Sequence, residues 1–404
     1  MVLLSAGCTP TQNNGAETPN MNQNENYDPI EFVHTHPPTT VSSATWHTLA
    51  VLENGELWAW GQNFQGQIGD GSTEKRLAPV KVMDNVFSAV AGHYHSLAIT
   101  KNGELWAWGE NFVGQIGDGS TQRRLTPVKI MDNVVYAAIS PVLPNTHVSY
   151  GARSFAITAD GTLWAWGQNG FWDGGWPRII GDGTTEERHS PVRIMDNVAS
   201  VTPTFSGAYA RTKDGALWEW GEDQLYPAMV REPYTAEAYM EEPVFDFEID
   251  EYGALWTRGR NQPPCHWQWE PLVGDGTTEP RPSPIRIMDN VRSVTIAADT
   301  IFAIAGDGAL WTWGYNNIGQ LGDGTTETRL SPIRIMDDVV SVSASYWIDH
   351  GWVSFINIFA LTKDGTLWAW GGNSFGAGLL GDGTDEQRLS PVPILDGVKI
   401  PCFS

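Results

Sequence analysis

One phrase of eight residues recurs seven times along the chain, and it limits the possible folds more than any other feature. It reads Asn54-Gly-Glu-Leu-Trp-Ala-Trp-Gly61 at first and returns at 102–109, 160–167, 214–221, 252–259, 307–314 and 364–371. Six copies begin with Asn-Gly or Asp-Gly. This pair between apolar runs is a strong hairpin signal, because both turn residues need a positive φ. The apolar segment before each turn and the Leu-Trp-x-Trp segment after it are therefore predicted to be paired strands.

A second phrase, Ile-Gly-Asp-Gly or a close variant, follows six of the seven hairpins. It begins at residue 68 and returns at 116, 180, 273, 321 and 380, and each copy leads into a short apolar strand containing Pro-Val or Pro-Ile. The fourth unit lacks it and keeps only Tyr226-Pro-Ala-Met-Val230. Proline near the start of a strand suits an outer edge. The small-residue segment after each outer strand, such as Ser341-Val-Ser-Ala-Ser345, suits a crowded central axis.

Each unit thus supplies four strands that run from an axis to a rim, which predicts an all-β chain folded as a seven-bladed β-propeller of four-stranded blades. We expect a single propeller over residues 31–404. The blades are expected at about 41–86, 87–134, 135–198, 199–243, 244–291, 292–339 and 340–398. The fifth unit departs most, since Arg258 replaces its second Trp and its inner strand is hard to place within 236–244. Residues 31–40 could add a strand to blade seven.

The phrase Trp-Gly-x-Asn-x-x-Gly-Gln-Ile/Leu-Gly at 60–69, 108–117 and 313–322 resembles the repeats of the regulator of chromosome condensation family. Ala-Gly-His-Tyr-His-Ser at 91–96 does so as well, and the resemblance extends over nearly all of 41–398. It implies the propeller fold and says little of function, because propellers host many activities. The eukaryotic founder exchanges nucleotide on a small GTPase and binds nucleosomes. Neither activity is expected for this acidic chain without a basic tail.

The formal charge of −23 also restricts the classes of binding partner that are expected. Nucleic acid is disfavoured, because phosphate binding needs concentrated Lys and Arg. Docking of the folded body on an anionic membrane surface is disfavoured for the same reason. No apolar run approaches the length of a membrane span.

The first eight residues are interpreted as a partial lipoprotein signal segment. Ser5-Ala-Gly-Cys8 is similar to a lipobox, although a basic n-region and several apolar residues are missing, so the true signal peptide would start earlier. Residues 9–30 are polar and predicted to be a disordered tether. The sequence thus predicts a bacterial exported lipoprotein, lipid-anchored at Cys8 and located at the cell surface or outside the cell; the alternative is a chance Cys. Whether Cys265 and Cys402 pair stays open.

The Gly-Asp-Gly phrases raise the question of calcium or phosphate binding. A calcium loop needs five or more converging oxygens, and this spacing supplies two. Hydrogen bonds from loop backbone to the Asp side chains are the simpler explanation. The carboxylates in question are Asp70, Asp118, Asp182, Asp275, Asp323 and Asp382.

Other candidate ligand sets are equally weak. Trp58 and Trp60 lie two apart on one face of a strand and are expected to be core between blades. The pairs His34/His36 and His93/His95 could chelate zinc, but no third ligand is evident. The sequence contains no Gly-x-Ser-x-Gly elbow, phosphate loop or His-Glu-x-x-His, so no catalytic residue, metal or cofactor is expected. Asp173, Asp349 and Glu270 are the only candidates for a polysaccharide-active enzyme, the least favoured function.

Insertions in the repeats point to one face of the propeller. The loops between strands one and two and between strands three and four leave a blade on the same side, and nearly all length variation falls there. The inserted loops are rich in aromatic residues, which are common interface anchors. The predicted binding residues are Phe171, Trp172, Trp176, His266, Trp267, Trp269, Tyr346, Trp347 and Trp352. The alternative is that these rings fold back and plug the central channel.

We therefore predict a monomeric, non-catalytic module that recognises an extracellular or envelope protein through this aromatic face. Inhibition of an extracellular enzyme is one form of this function, since a secreted β-lactamase inhibitor shares the fold. Carbohydrate binding is the alternative of a different class, because exposed Trp rings stack on sugars.

Overall fold

A computed structural model describes residues 39–141, 152–171, 177–221, 224–230, 245–259, 261, 272–349, 352–373 and 378–401. These residues form seven antiparallel sheets that are the blades of a β-propeller, so the predicted fold class is confirmed. Six blades have four strands. Blade five has three described strands, and the segment expected to hold its inner strand, 236–244, lies outside the described residues. Within the described ranges no helix is long and apolar enough to cross a bilayer.

The strands follow one another in chain order within every blade. Blade one contains β1 (Val41–Ser43), β2 (His47–Val51), β3 (Leu57–Gly61) and β4 (Arg76–Met83). Blade two contains β5 (Val86–Ala91), β6 (His95–Thr100), β7 (Leu105–Gly109) and β8 (Arg124–Met131). Blade three contains β9 (Val134–Ile139), β10 (Arg153–Thr158), β11 (Leu163–Gly167) and β14 (Arg188–Met195), with a two-stranded ribbon, β12 (Gly170–Phe171) and β13 (Pro177–Arg178), inserted before its last strand.

The remaining blades repeat this order. Blade four contains β15 (Val198–Pro203), β16 (Ala208–Thr212), β17 (Leu217–Gly221) and β18 (Gln224–Met229). Blade five contains β19 (Phe245–Ile249), β20 (Leu255–Gly259) and β21 (Arg281–Met288). Blade six contains β22 (Val291–Ala297), β23 (Thr300–Ala305), β24 (Leu310–Gly314) and β25 (Arg329–Met336). Blade seven contains β26 (Val339–Asp349), β27 (Trp352–Thr362), β28 (Leu367–Gly371) and β29 (Arg388–Leu395).

The inner strands of neighbouring blades contact one another around the axis: β1 meets β5, β5 meets β9, and β26 meets both β22 and β1. The second strands β2, β6, β10 and β23 are buried at every residue, because a neighbouring blade covers each side. The outer strands, by contrast, are partly exposed. The predicted progression from a crowded axis to a proline-containing rim is thus the observed one.

Among the described residues, the ring closes between blade seven and blade one without any exchange of strands. The backbone N–H of Lys399 donates to the carbonyl of Val51, and the N–H of Glu53 donates to the carbonyl of Gly397. Residues 31–40 were expected as a possible strand of blade seven, but Thr39 lies against blade two. Its N–H donates to Ser88 Oγ at 3.0 Å, and its carbonyl accepts from the Ala89 N–H. Residues 31–38 lie outside the described residues.

The second Trp of the repeat fills the space between blades, as predicted. Trp60, Trp108, Trp166, Trp313 and Trp370 are fully buried. Trp108, for example, belongs to a hydrophobic cluster made with Leu49 and Leu57 of blade one, and half-buried Trp106 packs on the same cluster. These rings are therefore core, and they are unavailable to a ligand.

The Gly-Asp-Gly phrase has a structural explanation in both of its parts. A Cβ on Gly69 would lie 2.6 Å from Nε1 of Trp108 in the next blade, so only glycine lets the loop sit on that ring. Asp70 accepts hydrogen bonds from Arg76 Nε at 2.5 Å, from Asn63 Nδ2 at 3.1 Å and from the Ser72 N–H at 3.0 Å. The same arrangement recurs at Asp118, Asp182, Asp275 and Asp323.

These carboxylates are thus occupied by protein donors. Burial alone would raise the pKa of Asp70, but hydrogen bonds from Ser72 and Arg76 outweigh it and hold that pKa below its usual value. Among the described residues, no three His, Cys, Asp or Glu side chains gather closely enough to hold a metal ion. The aspartates therefore stabilise the loops through hydrogen bonds, as the sequence analysis predicted for the Gly-Asp-Gly phrase.

Candidate functional site

The loops between strands one and two and between strands three and four share one face, here called the loop face. Direct contacts show this. Trp46, between β1 and β2, lies 6.1 Å from Phe64, between β3 and β4, as measured between ring centroids. It also stacks on Tyr94, which lies between the first two strands of blade two. The loop face is therefore continuous from blade one to blade two.

Four rings form a cluster on this face, the aromatic patch of Trp46, Phe64, His93 and Tyr94. The Trp46 and Tyr94 rings are nearly parallel, at 10°, with centroids 6.3 Å apart. Phe64 lies edge-on to Tyr94 at 5.3 Å, and His93 does so at 4.1 Å. The Phe64 side chain is 42% exposed, and the other three residues are partly buried. The patch is thus a pre-packed apolar surface that still faces solvent.

Hydrogen bonds fix the orientation of His93 within the patch. The Trp46 Nε1–H donates to His93 Nε2 at 3.3 Å, so Nδ1 carries the proton and faces Thr45 Oγ1 at 3.2 Å. Burial lowers the pKa of His93 to about 4, so the ring is neutral at physiological pH. This ring orients Trp46, and its lone pair is already used by the indole. His95 is buried elsewhere, with Nε2 at 3.0 Å from Ser154 Oγ, so the two histidines do not form a chelating pair.

Blade two repeats the exposed ring of blade one. Phe112 occupies the same position in Asn111-Phe112-Val-Gly as Phe64 does in Asn63-Phe64-Gln-Gly, and it is 61% exposed. Arg123 Nη1 donates to the Phe64 carbonyl at 3.3 Å, which ties the loop of blade one to blade two. Two large apolar rings are therefore presented by adjacent, well-anchored loops.

The opposite face carries the turns between strands two and three and the connections between blades, and it has ion pairs in place of an aromatic cluster. Lys81 Nζ lies 2.6 Å from Glu56 and 2.8 Å from Asp84, and Lys129 repeats this with Glu104 and Asp132. Exposed pairs of this kind contribute little to binding energy. An exposed aromatic ring also occurs on this face at Tyr252, in the turn between β19 and β20.

Most of the predicted binding residues lie outside the described residues: Trp172, Trp176, His266, Trp267 and Trp269, together with Cys8, Cys265 and Cys402. Phe171 lies in β12, and its backbone pairs with Pro177. The segment 346–352, predicted to be a loop, is largely strand. Tyr346 and Trp347 extend β26, and Asp349 pairs with Trp352 of β27. The prediction of a loop there was wrong, because β26 and β27 are each 11 residues long and stay paired up to Asp349 and Trp352.

Sequence reasoning missed Trp46, Phe64, Tyr94 and Phe112. The predicted binding residues were chosen from loops of unusual length, whereas these four residues lie in loops of ordinary length. For Phe64 and Phe112, the sequence signal for an exposed ring was a large apolar residue directly after the repeat Asn.

Seven radial blades with one aromatic loop face define the chain as a β-propeller. Models of the regulator of chromosome condensation (RCC1) repeat match residues 54–99, 102–154 and 307–348, and a second model of that repeat matches 39–67 and 88–115. Over these ranges the chain is similar to the RCC1 repeat, and the matches support a relationship to that family.

Two known proteins illustrate the relationship. The ultraviolet-B receptor UVR8 of Arabidopsis thaliana is 26% identical over 390 residues, which cover 89% of this chain and 71% of that protein. Prp20p of Saccharomyces cerevisiae, whose structure was reported with its binding to Gsp1p and histones, superposes with a TM-score of 0.55 at 18% identity over 86% of this chain and 87% of its own. Yeast RCC1 (Prp20) bound to Kap60 gives a TM-score of 0.55 at 17% identity, over 96% of this chain and 91% of its own. At these identities the structures show a shared fold.

Proposed function

We propose that this propeller is a non-catalytic binding module that recognises a protein partner through its loop face. The observation that carries the proposal is the aromatic patch, with Phe112 beside it in the equivalent loop of blade two. Trp and Tyr are the commonest anchors of protein interfaces, because they bury much area at little cost in conformational entropy. The predicted residues Phe171, Trp172, Trp176, His266, Trp267, Trp269, Tyr346, Trp347 and Trp352 are proposed to extend the same face.

The rigidity of the patch supports this function. His93 holds Trp46 through a hydrogen bond, and Trp46 stacks on Tyr94 across two blades. A surface already packed in its bound form loses little entropy when a partner binds. The charge of −23 makes nucleic acid an unsuitable partner. Proteins similar to this one are described as a receptor and as a binder of Gsp1p and histones, which supports binding rather than catalysis as the use of the scaffold.

The location is proposed from the sequence. A lipid on Cys8 and a polar tether over 9–30 would hold the propeller at a bacterial cell surface, facing an extracellular or envelope protein. Metabolic labelling with a fatty-acid analogue would test this: we expect label on the full chain and none on Cys8→Ser. Equal labelling of both would contradict the anchor without bearing on the loop face.

The binding proposal is tested with the full chain as bait for cross-linked envelope proteins, compared with the variant Phe64→Ser/Phe112→Ser. The matched control is Tyr252→Ser, which removes an exposed ring from the opposite face. We expect a defined protein to be captured by the wild type and the control and lost from the double variant. Equal capture by all three would contradict the loop-face assignment. If no protein is captured and the double variant instead loses the wild type's binding to a polysaccharide, carbohydrate recognition at the same rings would be favoured.

A further inference from the structure

Five of the seven blade interfaces share one contact, here called the tryptophan lock. The indole Nε1–H of the second Trp in a blade donates to a backbone carbonyl in the loop between the last two strands of the preceding blade, at 2.9–3.0 Å. The five pairs are Trp60 with Leu379, Trp108 with Gln67, Trp166 with Gln115, Trp313 with Leu272 and Trp370 with Gln320. The first Gly of Gly-Asp-Gly packs on the same ring, as Gly69 does on Trp108.

The interface between blades three and four uses a variant of the lock. Gly181 packs on Trp220, but the carbonyl of Ile179 accepts its hydrogen bond from Arg153 Nη1 at 2.9 Å. Arg153 Nη2 also reaches the Thr204 and Phe205 carbonyls of blade four, at 2.7 and 2.6 Å. Arg153 and Ile179 both belong to blade three, so the hydrogen bonds that cross this interface are those of the buried guanidinium to Thr204 and Phe205.

The interface between blades four and five lacks both halves of the lock. Only two residues separate β17 from β18, so blade four has no loop long enough to carry Gly-Asp-Gly. In blade five Arg258 stands where the other blades have the second Trp. Its guanidinium pairs with Asp246 of its own blade at 2.9 Å. Blade four thus lacks the loop, and blade five lacks the ring that would pack on it.

Burial confirms that this interface is less tightly packed within the described ranges. Tyr209 and Arg211 alternate with buried residues in β16, and Tyr209 is 43% exposed, whereas β6, β10 and β23 are buried throughout. Asp246 and Glu248 are exposed in β19. The six hydrophobic clusters of the described residues fall at the six other interfaces, and none of them joins blade four to blade five.

We propose that the interface between blades four and five is the point at which the propeller ring opens. Local opening follows the part of a fold with the fewest buried apolar contacts. Blades four and five separate there while the six other interfaces hold the remainder of the ring together. A ligand that touches both blades therefore favours the closed ring, and one that inserts between them favours the open ring.

Hydrogen exchange measured by mass spectrometry on the full chain tests this. We expect amides of β16–β17 and β19–β20 to exchange at least about tenfold faster than those of the matched strands β6–β7 and β23–β24. The two sets occupy equivalent positions in their blades, and they differ in the lock and in the burial of their second strands. Equal protection in all four hairpins, or fastest exchange at another interface, would overturn the proposal.

A variant that removes a lock elsewhere tests the cause. Trp313→Arg gives the interface between blades five and six the residue found at 258, and it should raise exchange of β23–β24 toward that of β19–β20. Trp313→Phe, which keeps the ring and removes the donor, should do so to a smaller extent and guards against misfolding of the first variant. Wild-type protection of β23–β24 in both folded variants would show that the lock does not control opening, and the proposal would fail.

Discussion

The indole Nε1 of Trp60 donates a hydrogen bond to the carbonyl oxygen of Leu379, 2.9 Å away and 319 residues along the chain. This contact joins the first blade to the last. The described strands of each blade follow one another in sequence, so no strand exchange among them reinforces the closure. Closure therefore depends on side-chain packing and on a few backbone bonds such as that from Lys399 to Val51.

Replacing Trp60 by Phe should destabilise the propeller by about 1–3 kcal/mol beyond the loss of packing, because the Leu379 carbonyl stays buried without its donor. The matched control is Trp220→Phe. The Trp220 ring is also buried between blades, but its Nε1 makes no hydrogen bond. We expect urea unfolding to show a clearly smaller loss of stability for Trp220→Phe. Equal losses for the two variants would mean that packing alone stabilises these interfaces.

Calcium should leave the melting temperature unchanged, because the loop carboxylates are already satisfied by protein donors. Asp118 accepts from Arg124 Nε at 2.5 Å and from Ser120 N–H at 3.0 Å. Asp118→Ala leaves these donors unpaired and should cost about 1–3 kcal/mol. Asp132→Ala removes only an exposed pair with Lys129 and should cost less than about 1 kcal/mol. A rise in melting temperature with calcium that Asp118→Ala abolishes would contradict this account.

The sequence predicted the blades well because each depends on local signals. Asn54-Gly55 marks the hairpin between β2 and β3, although only Gly55 has the positive φ expected of both residues. Contacts between blades were harder to predict, since Gly69 and Trp108 meet only after the ring has formed. The aromatic patch was missed for the same reason: Trp46 and Tyr94 lie in loops of two different repeats. A comparison of exposed and buried positions across repeats would have identified Phe64 and Phe112.

Acid should destabilise the interfaces among blades one, two and three. His47 Nε2 lies 2.7 Å from Ser96 Oγ, and His95 Nε2 lies 3.0 Å from Ser154 Oγ. Both serine hydroxyls donate to loop carbonyls, so each hydroxyl oxygen accepts a hydrogen bond from the Nε2–H of a neutral imidazole. Burial, with a smaller effect from neighbouring histidines, lowers the pKa of each to about 3.

The unfolded chain therefore binds more protons than the folded chain between pH 6.5 and about 3, and stability falls as the pH falls through that range. Urea unfolding at several pH values should show this loss. His47→Gln/His95→Gln should be less stable at pH 7 and should have a flatter profile across the window. A variant profile as steep as that of the wild type would assign the acid sensitivity to other groups.

Asp299 should affect the pH dependence of stability in the opposite direction to His47 and His95. This carboxyl lies between β22 and β23 and is 3% exposed, and burial raises its pKa to about 6 against partial relief from Thr300 and Gln320. Its folded pKa exceeds its unfolded pKa, so its contribution favours folding below pH 3.8 and is lost as the pH rises through about 6. Asp299→Asn removes the buried charge and should raise stability at pH 7.5 by up to about 3 kcal/mol, with no gain below pH 4.

The control for Asp299→Asn is Asp307→Asn in the same blade. Asp307 is exposed at the turn position where Asn54 and Asn102 stand in other blades, and its Oδ1 accepts from the Ala309 N–H. Because Asn fills that role as well, we expect no change in stability at either pH. Thermal unfolding at pH 4 and pH 7.5 separates the two variants. A gain for Asp299→Asn that is equal at both pH values would come from packing, and it would show that the pKa of Asp299 is not raised in the folded protein.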